Sequence, residues 1–238
     1  MAIAQYPILH NIGLAKDTLD GFADKVGSAF AANELLFLMI GAAKIERAIA
    51  VTEENQKRIK IIDETIKSLN SDFQSKSKIL KPQEIIKKYE SLMLEDFFTS
   101  AEHQAEIMLS RVSYLLKIDE QNEQDTAILI HPMVYGNYTK DSSSGFCTTR
   151  NVITGEKKIQ GMFYSNSYNE LFSPGKDISK LDPKYVKQLV KTSQQLEDEF
   201  KDIRQIRFTI ENGKLWLIEQ KSVEQRSTAS QIQLYFDL

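Results

Sequence analysis

Cysteine is nearly missing from this chain of 238 residues: Cys147 stands alone, which excludes an internal disulfide and a thiolate zinc cage. No apolar run near the start approaches the ~18–20 residues that span a bilayer. The longest there, 35–40 (LLFLMI) followed by Gly41-Ala42-Ala43, is far shorter. The opening residues lack the charged and apolar regions of a secretory signal. An excess of one charge is lacking too, since 30 basic and 33 acidic residues leave a formal charge of −3. A dedicated nucleic-acid binder carries a basic excess, so no nucleic acid and no membrane partner is expected, and the expected location is cytoplasmic. What is present is 42% hydrophobic and 26% charged sequence, which suits a packed core and excludes a disordered tail. At roughly 100–200 residues per domain, the length fits one large domain or two small ones.

The first half reads as helices. Leu19, Phe22, Ala23, Val26 and Phe30 recur at helical spacing, and a second apolar helix runs from Asn33 through Leu36, Ile40 and Ile45. Residues 53–70 place Ile59, Ile62, Ile66 and Leu69 on one stripe, and the lysine-rich 71–81 reads as a loop. Pro82 suits the first position of the next helix, which buries Ile85, Ile86, Tyr89, Leu92 and Met93. Thr99 and Glu102 fit a capping box that opens a helix carrying Ile107, Met108, Val112, Leu115 and Leu116.

After the polar stretch 119–125 the pattern changes to strands. Residues 126–135 (TAILIHPMVY) are rich in β-formers, and Asp141 to Gly145 reads as a small polar loop before a strand at 146–150. A further strand covers 158–164, and Asp182-Pro183 opens a helix with Val186, Leu189, Val190 and Leu196 inside. Two strands, 204–211 and 214–220, flank Asn212-Gly213, a strong hairpin signal. The expected fold is therefore α+β: a mainly helical section over 1–125, then a mixed, mainly antiparallel sheet lobe with one long helix over 126–238.

Several of these segments together carry a resemblance. They are Met133-Val-Tyr-Gly-Asn137, Ser144-Gly145 with Thr149-Arg-Asn151 and Thr154-Gly-Glu-Lys157, and Phe208-Thr-Ile-Glu-Asn-Gly-Lys-Leu-Trp216. Upstream stand Asn11-Ile-Gly-Leu14 and Thr18-Leu-Asp-Gly-Phe-Ala23. In this order they resemble the nucleotide-binding (ATP-grasp) domain of the pyruvate, phosphate dikinase family. The resemblance implies an ATP-grasp-like fold and a domain that takes a phosphoryl unit from ATP with Mg²⁺ and passes it to a histidine on a separate swivelling domain. It also implies that this chain is a truncated version. On that resemblance the swivelling domain, the pyruvate barrel and the family's first-lobe lysine and arginine are expected to have no counterpart in it.

Position by position, the resemblance assigns residues. His131, Met133 and Val134 fall at the adenine hinge, with His131 in place of a family glutamine. Ser142, Ser143, Ser144 and Gly145 match a Ser-Gly-Thr-Gly phosphate loop, where small residues let amides approach phosphate oxygens. Ile3-Ala4-Gln5 falls at a second glycine loop and has no glycine. Glu170 takes the first place of an acidic pair whose second place is Leu171. In the hairpin, Gln205 and Arg207 stand where the family has two carboxylates, and Glu219 and Lys221 where it has a glutamine and an arginine.

The hairpin's parity decides whether those four meet. A two-residue turn at Asn212-Gly213 sets the two pairs on opposite faces, because side chains two apart share a face. A three-residue loop, Glu211-Asn212-Gly213, with Gly213 left-handed in a bulge, unites all four and gathers Ile206, Phe208, Ile210, Trp216 and Ile218 on the other face. In that register Gln205 opposes Glu219 and Arg207 is diagonal to it. An Arg207–Glu219 ion pair flanked by Lys221 then occupies the place of the metal, so Mg²⁺ is not expected, and weak ATP binding with impaired transfer is. No metal site is expected elsewhere either, since His10, His103 and His131 lie far apart.

Three other readings stay open: a non-catalytic interaction or regulatory protein, one half of a split dikinase, and a decayed fragment. Each bears on partners. The missing lobe is expected to leave apolar surface bare around 35–40 and on the outer side of the sheet, giving self-association or a protein partner that supplies the lobe.

Overall fold

The computed structural model describes residues 9–75, 81–118, 128–167 and 174–237. They form two compact units, 1–133 and 134–238.

The first unit is helical. Its elements are α1 (Leu19–Val26), α2 (Ser28–Thr52), α3 (Gln56–Gln74), α4 (Pro82–Tyr89) and α5 (Ala101–Ile118). The single helix expected through Phe30 is broken at Gly27, whose φ of 88° is a conformation that glycine adopts without a Cβ clash. α2 is apolar nearly all round and packs against the other four helices, which is how such a helix escapes water. Leu35, Leu36, Leu38, Met39 and Ile40 are therefore in the core, correcting the expectation of bare surface at 35–40.

Local signals set several helix ends. Pro82 is the first residue of α4, and the Asn55 side chain caps α3 by accepting from Arg58 N at 3.1 Å. The helix α3 extends to Gln74, into the stretch read as a loop. The start of α5 differs from the capping box: Ser100 Oγ accepts from His103 N at 3.1 Å, and Asp17 accepts from Ala101 N at 3.0 Å. Gln104, fully buried, then ties the segment after residue 10 to this helix. Its Oε1 accepts from Gly13 N at 2.7 Å, and its Nε2 donates to Leu14 O and Phe97 O.

The second unit is an antiparallel sheet with α6 (Pro183–Phe200) and α7 (Thr228–Asp237). Its strands are β1 (Ser143–Thr148), β2 (Gln160–Ser165), β3 (Lys176–Asp177), β4 (Arg204–Glu211) and β5 (Lys214–Ser222), in spatial order β3-β2-β1-β4-β5. Cys147, Phe163, Ile206, Phe208 and Ile210 form one core with Tyr185 and Leu189 of α6. The whole is an α+β arrangement. Asp182 caps α6 by accepting from Lys184 N, Pro183 follows it, and left-handed Lys201 ends the helix.

The strand expected over 126–135 is not formed in its described part, 128–135. Ile128, Leu129 and Ile130 are 43%, 82% and 72% exposed. β-Propensity becomes a strand only where a neighbouring edge accepts its hydrogen bonds, and this segment has no ladder partner among the described residues. Apolar exposure also falls on the outer face of the sheet, at Met162 and Trp216, on the edge strand β5 at Leu217, and on α7, where Ile232, Tyr235 and Phe236 are exposed. Among the described residues, no helix is long and apolar enough to cross a membrane.

Candidate functional site

The hairpin β4–β5 closes through a two-residue turn, not the expected three-residue loop. Glu211 pairs with Lys214, and Asn212 and Gly213 both take positive φ, 49° and 76°. Taken alone, such a turn would separate the four polar residues. A bulge between Arg207 and Phe208 on the β4 side of the register corrects the parity: Phe208 opposes Leu217, and Arg207 opposes Glu219, leaving Ile218 as the extra residue. Gln205 then opposes Lys221. All four side chains share one face, with Arg207 directly across from Glu219 and not diagonal to it. The bulge also moves the apolar positions, so Leu215 of β5, and not Trp216, joins the core.

Arg207 Nε lies 3.8 Å from Glu219 Oε2, and both side chains are about half exposed (55% and 50%). At that depth water screens the pair, and its worth to stability is small. Gln205 is half-buried and Lys221 exposed. By the pairing across the sheet, Thr148, Phe146 and Ser144 of β1 stand on the same face, opposite Gln205, Arg207 and Thr209. Met162 of β2 extends the row beyond Phe146.

The four residues Ser142, Ser143, Ser144 and Gly145 do not make a free loop. The last three belong to β1, the central strand, and pair with Ser165, Tyr164 and Phe163 on one side and Ile210, Thr209 and Phe208 on the other. Their main-chain groups are taken up by these ladders. The serines are buried, and Ser144 Oγ donates to Ser167 O at 2.6 Å while Ser142 Oγ accepts from Thr139 N. Serine and glycine are weak strand formers, but pairing on both sides overrides that preference. Gly145 also meets a packing demand: a Cβ there would fall 2.6 Å from Phe163's neighbour Met162 O and from the Phe208 ring.

Of the hinge residues, His131 is exposed, with Nδ1 2.9 Å from Pro132 O, and Met133 and Val134 are half-buried. His131 and Met133 belong to the first unit, and Val134 to the second. Glu170 lies outside the described residues, as do Leu171 and Ile3-Ala4-Gln5. The structure thus brings together Gln205, Arg207, Glu219 and Lys221, with β1 beside them.

Two further features have no local sequence signature. Glu211, at the end of β4, accepts from Tyr135 N at 2.8 Å and so fixes the chain next to Val134. Arg150, fully buried, forks onto Glu197 with Nε–Oε1 at 2.9 Å and Nη2–Oε2 at 2.6 Å. Its Nη1 donates to Gly155 O at 3.0 Å and Asp237 Oδ2 at 2.8 Å. These bonds to Glu197 and Asp237 hold the guanidinium pKa above its ordinary value, and Arg150 in turn holds the Asp237 carboxyl below its own. Partners 47 and 87 residues away cannot be read from spacing. Burial pushes the Cys147 thiol up to about 12, which leaves it no thiolate for chemistry at neutral pH.

The open face of the sheet is thus mixed, with Gln205, Arg207, Glu219 and Lys221 beside Phe146, Met162 and Trp216, while the other face packs against α6. No protein-family model matches the chain. Over all its 238 residues it is 44% identical to pyruvate, phosphate dikinase of Treponema pallidum (strain Nichols), a stretch that makes up 26% of that protein. It is 29% identical over 235 residues to the chloroplastic pyruvate, phosphate dikinase of Mesembryanthemum crystallinum, covering 89% of this chain and 24% of that one. With the Rickettsia conorii (strain ATCC VR-613 / Malish 7) pyruvate, phosphate dikinase it shares 32% identity over 136 residues, 52% of this chain and 16% of that one. The chain spans about a quarter or less of the length of these curated relatives.

Proposed function

We propose that this chain is an ATP-grasp-like, nucleotide-binding segment of the pyruvate, phosphate dikinase type, which holds ATP weakly and is impaired in phosphoryl transfer. The observation that carries the reading is the register of the hairpin. It sets Arg207 directly opposite Glu219 on the open face of the sheet, beside Gln205 and Lys221. The resemblance expects two carboxylates at 205 and 207. Phosphoryl transfer from ATP is largely a matter of positioning and of neutralising charge on the phosphates, for which Mg²⁺ needs oxygen ligands. The side chains of the two pairs Gln205–Lys221 and Arg207–Glu219 offer one carboxylate, one amide oxygen, a guanidinium and an ammonium. This set does not fit that ion, and no step is drawn through it. The ladders that occupy the main chain of 143–145 also favour weak binding, since those amides are spent.

The test is a calorimetric titration with ATP combined with a search for labelled phosphate on any acceptor. Binding in the micromolar to millimolar range with no labelled product supports the reading. Tight binding accompanied by transfer removes the impairment.

A second reading, a protein that acts by association, draws on the bare stripe Ile232, Tyr235 and Phe236 of α7. The partner is then a second copy, or a chain that supplies a lysine-bearing lobe, as in a split dikinase. Sedimentation at high concentration separates the two readings: a clean monomer counts against self-association.

A further inference from the structure

The arginines of the chain differ in how they are held. Arg47, Arg58, Arg111, Arg150 and Arg226 each donate hydrogen bonds to a carboxylate, and Arg204 donates to Gln220 Oε1 at 2.7 Å and to Asp202. Arg207 is the exception. Its only ion pair among the described residues is with Glu219 at 3.8 Å, beyond hydrogen-bonding distance. A guanidinium has five N–H donors in a fork that suits phosphate oxygens, and here that fork is half exposed and uncommitted. Lys221 lies on the same face, two pairs further along the ladder, with no ion pair among the described residues. In the pairs Gln205–Lys221 and Arg207–Glu219 these two cations meet one carboxylate, Glu219, while Glu211 further along the same face has its own cation, Lys214, opposite it, so the patch at Arg207 and Lys221 is locally positive.

From this geometry we infer that the face binds the phosphate chain of a nucleoside triphosphate in its metal-free form, with Arg207 and Lys221 as built-in counter-ions, and that Mg²⁺ opposes binding. The inference rests on the nucleotide reading above and specifies which form of the ligand is taken. Both parts of it follow from charge. A free triphosphate keeps its full negative charge for the two side chains, whereas an ion complexed to it neutralises part of that charge. Glu219, the one carboxylate within reach of such an ion, already faces a fixed cation at 3.8 Å. Swinging the Arg207 fork onto a phosphate needs no buried bond to break, because water already reaches both partners of the pair.

The test is calorimetry on the whole protein with ATP and, separately, inorganic tripolyphosphate, each in EDTA and in excess Mg²⁺. Arg207→Glu and Lys221→Met are measured beside the parent, and circular dichroism checks that each variant is folded. The expected result is that ATP binds in EDTA and loses affinity several-fold in Mg²⁺. Arg207→Glu should lose about tenfold or more of the EDTA affinity, the scale of one charge-assisted contact. The same variant, now with two carboxylates facing each other, should bind ATP better with Mg²⁺ than without it. Binding of ATP only when Mg²⁺ is present overturns the inference and leaves the nucleotide reading intact. Tripolyphosphate binding without ATP binding supports the cationic face and removes the nucleotide reading. No binding of either ligand in any buffer overturns both.

Discussion

Replacing Arg150 by methionine should unfold the second unit at much lower denaturant. The guanidinium is fully buried and makes bonds of 2.6 and 2.9 Å to Glu197, 3.0 Å to Gly155 O and 2.8 Å to Asp237. Methionine fills part of the volume but leaves the Glu197 carboxylate, 6% exposed, without its cation. Breaking a buried pair from one side costs about 3–5 kcal/mol, mostly the penalty for the charge left behind. Set against a typical stability of about 5–15 kcal/mol, that is a large share. Urea titration followed by the fluorescence of Trp216, the only tryptophan and a residue of β5, reports this unit directly. The double variant Arg150→Met with Glu197→Leu removes the stranded charge as well and should recover most of the loss. A loss below about 1 kcal/mol for the single variant would refute the reasoning, because it would mean that Glu197 reaches water or another partner once Arg150 is gone.

Three more outcomes follow from the same geometry. Asp237 titrates below its ordinary 3.8 chiefly because Arg150 donates to it. Its contribution is present above pH 3.8 and vanishes as pH falls through the lowered folded value, so thermal scans of the parent and Asp237→Asn should differ at neutral pH and converge in acid. Cys147, its pKa pushed up to about 12 by burial, should resist a thiol reagent at pH 8 in the native protein and react at once in denaturant; fast native labelling would contradict its burial. Gly155→Ala should loosen α7, since Gly155 has φ 78° and a Cβ there would fall 2.5 Å from Gln233 Cβ. A loss of about 1–3 kcal/mol in chemical denaturation is expected.

What could be read from the sequence was what neighbours in the chain decide. Pro82, Asp182-Pro183 and Asn212-Gly213 each act within a turn, and in the structure the first two open α4 and α6 while the third turns β4 into β5. Features that need a distant partner were not legible. Residues 128–130 have strand-forming side chains without an edge to join, while Ser143 and Gly145 lack strand propensity and are enclosed by two edges. Apolar 35–40 looked like an uncovered surface because the helices that cover it come from other parts of the chain. For the candidate site, Gln205, Arg207, Glu219 and Lys221 share one face as expected, but the apolar pattern expected with them does not hold on β5: Trp216 opposes Thr209, Ile218 is the extra residue at the bulge, and Leu215 joins the core. The device that unites the four was not legible: the compensating bulge sits beside Arg207 and Phe208, away from the turn, where no glycine marks it. Arg150 was visible only as part of a motif, because Glu197 and Asp237 reach it from α6 and α7.

The central claim is tested most directly by a crystal of the protein grown with a non-hydrolysable ATP analogue and Mn²⁺, with data collected for the anomalous signal of the metal. The account predicts a triphosphate lying against Arg207 and Lys221 with no manganese peak beside Glu219. A manganese ion coordinated there by Glu219 and Gln205, with Arg207 turned aside, would contradict it.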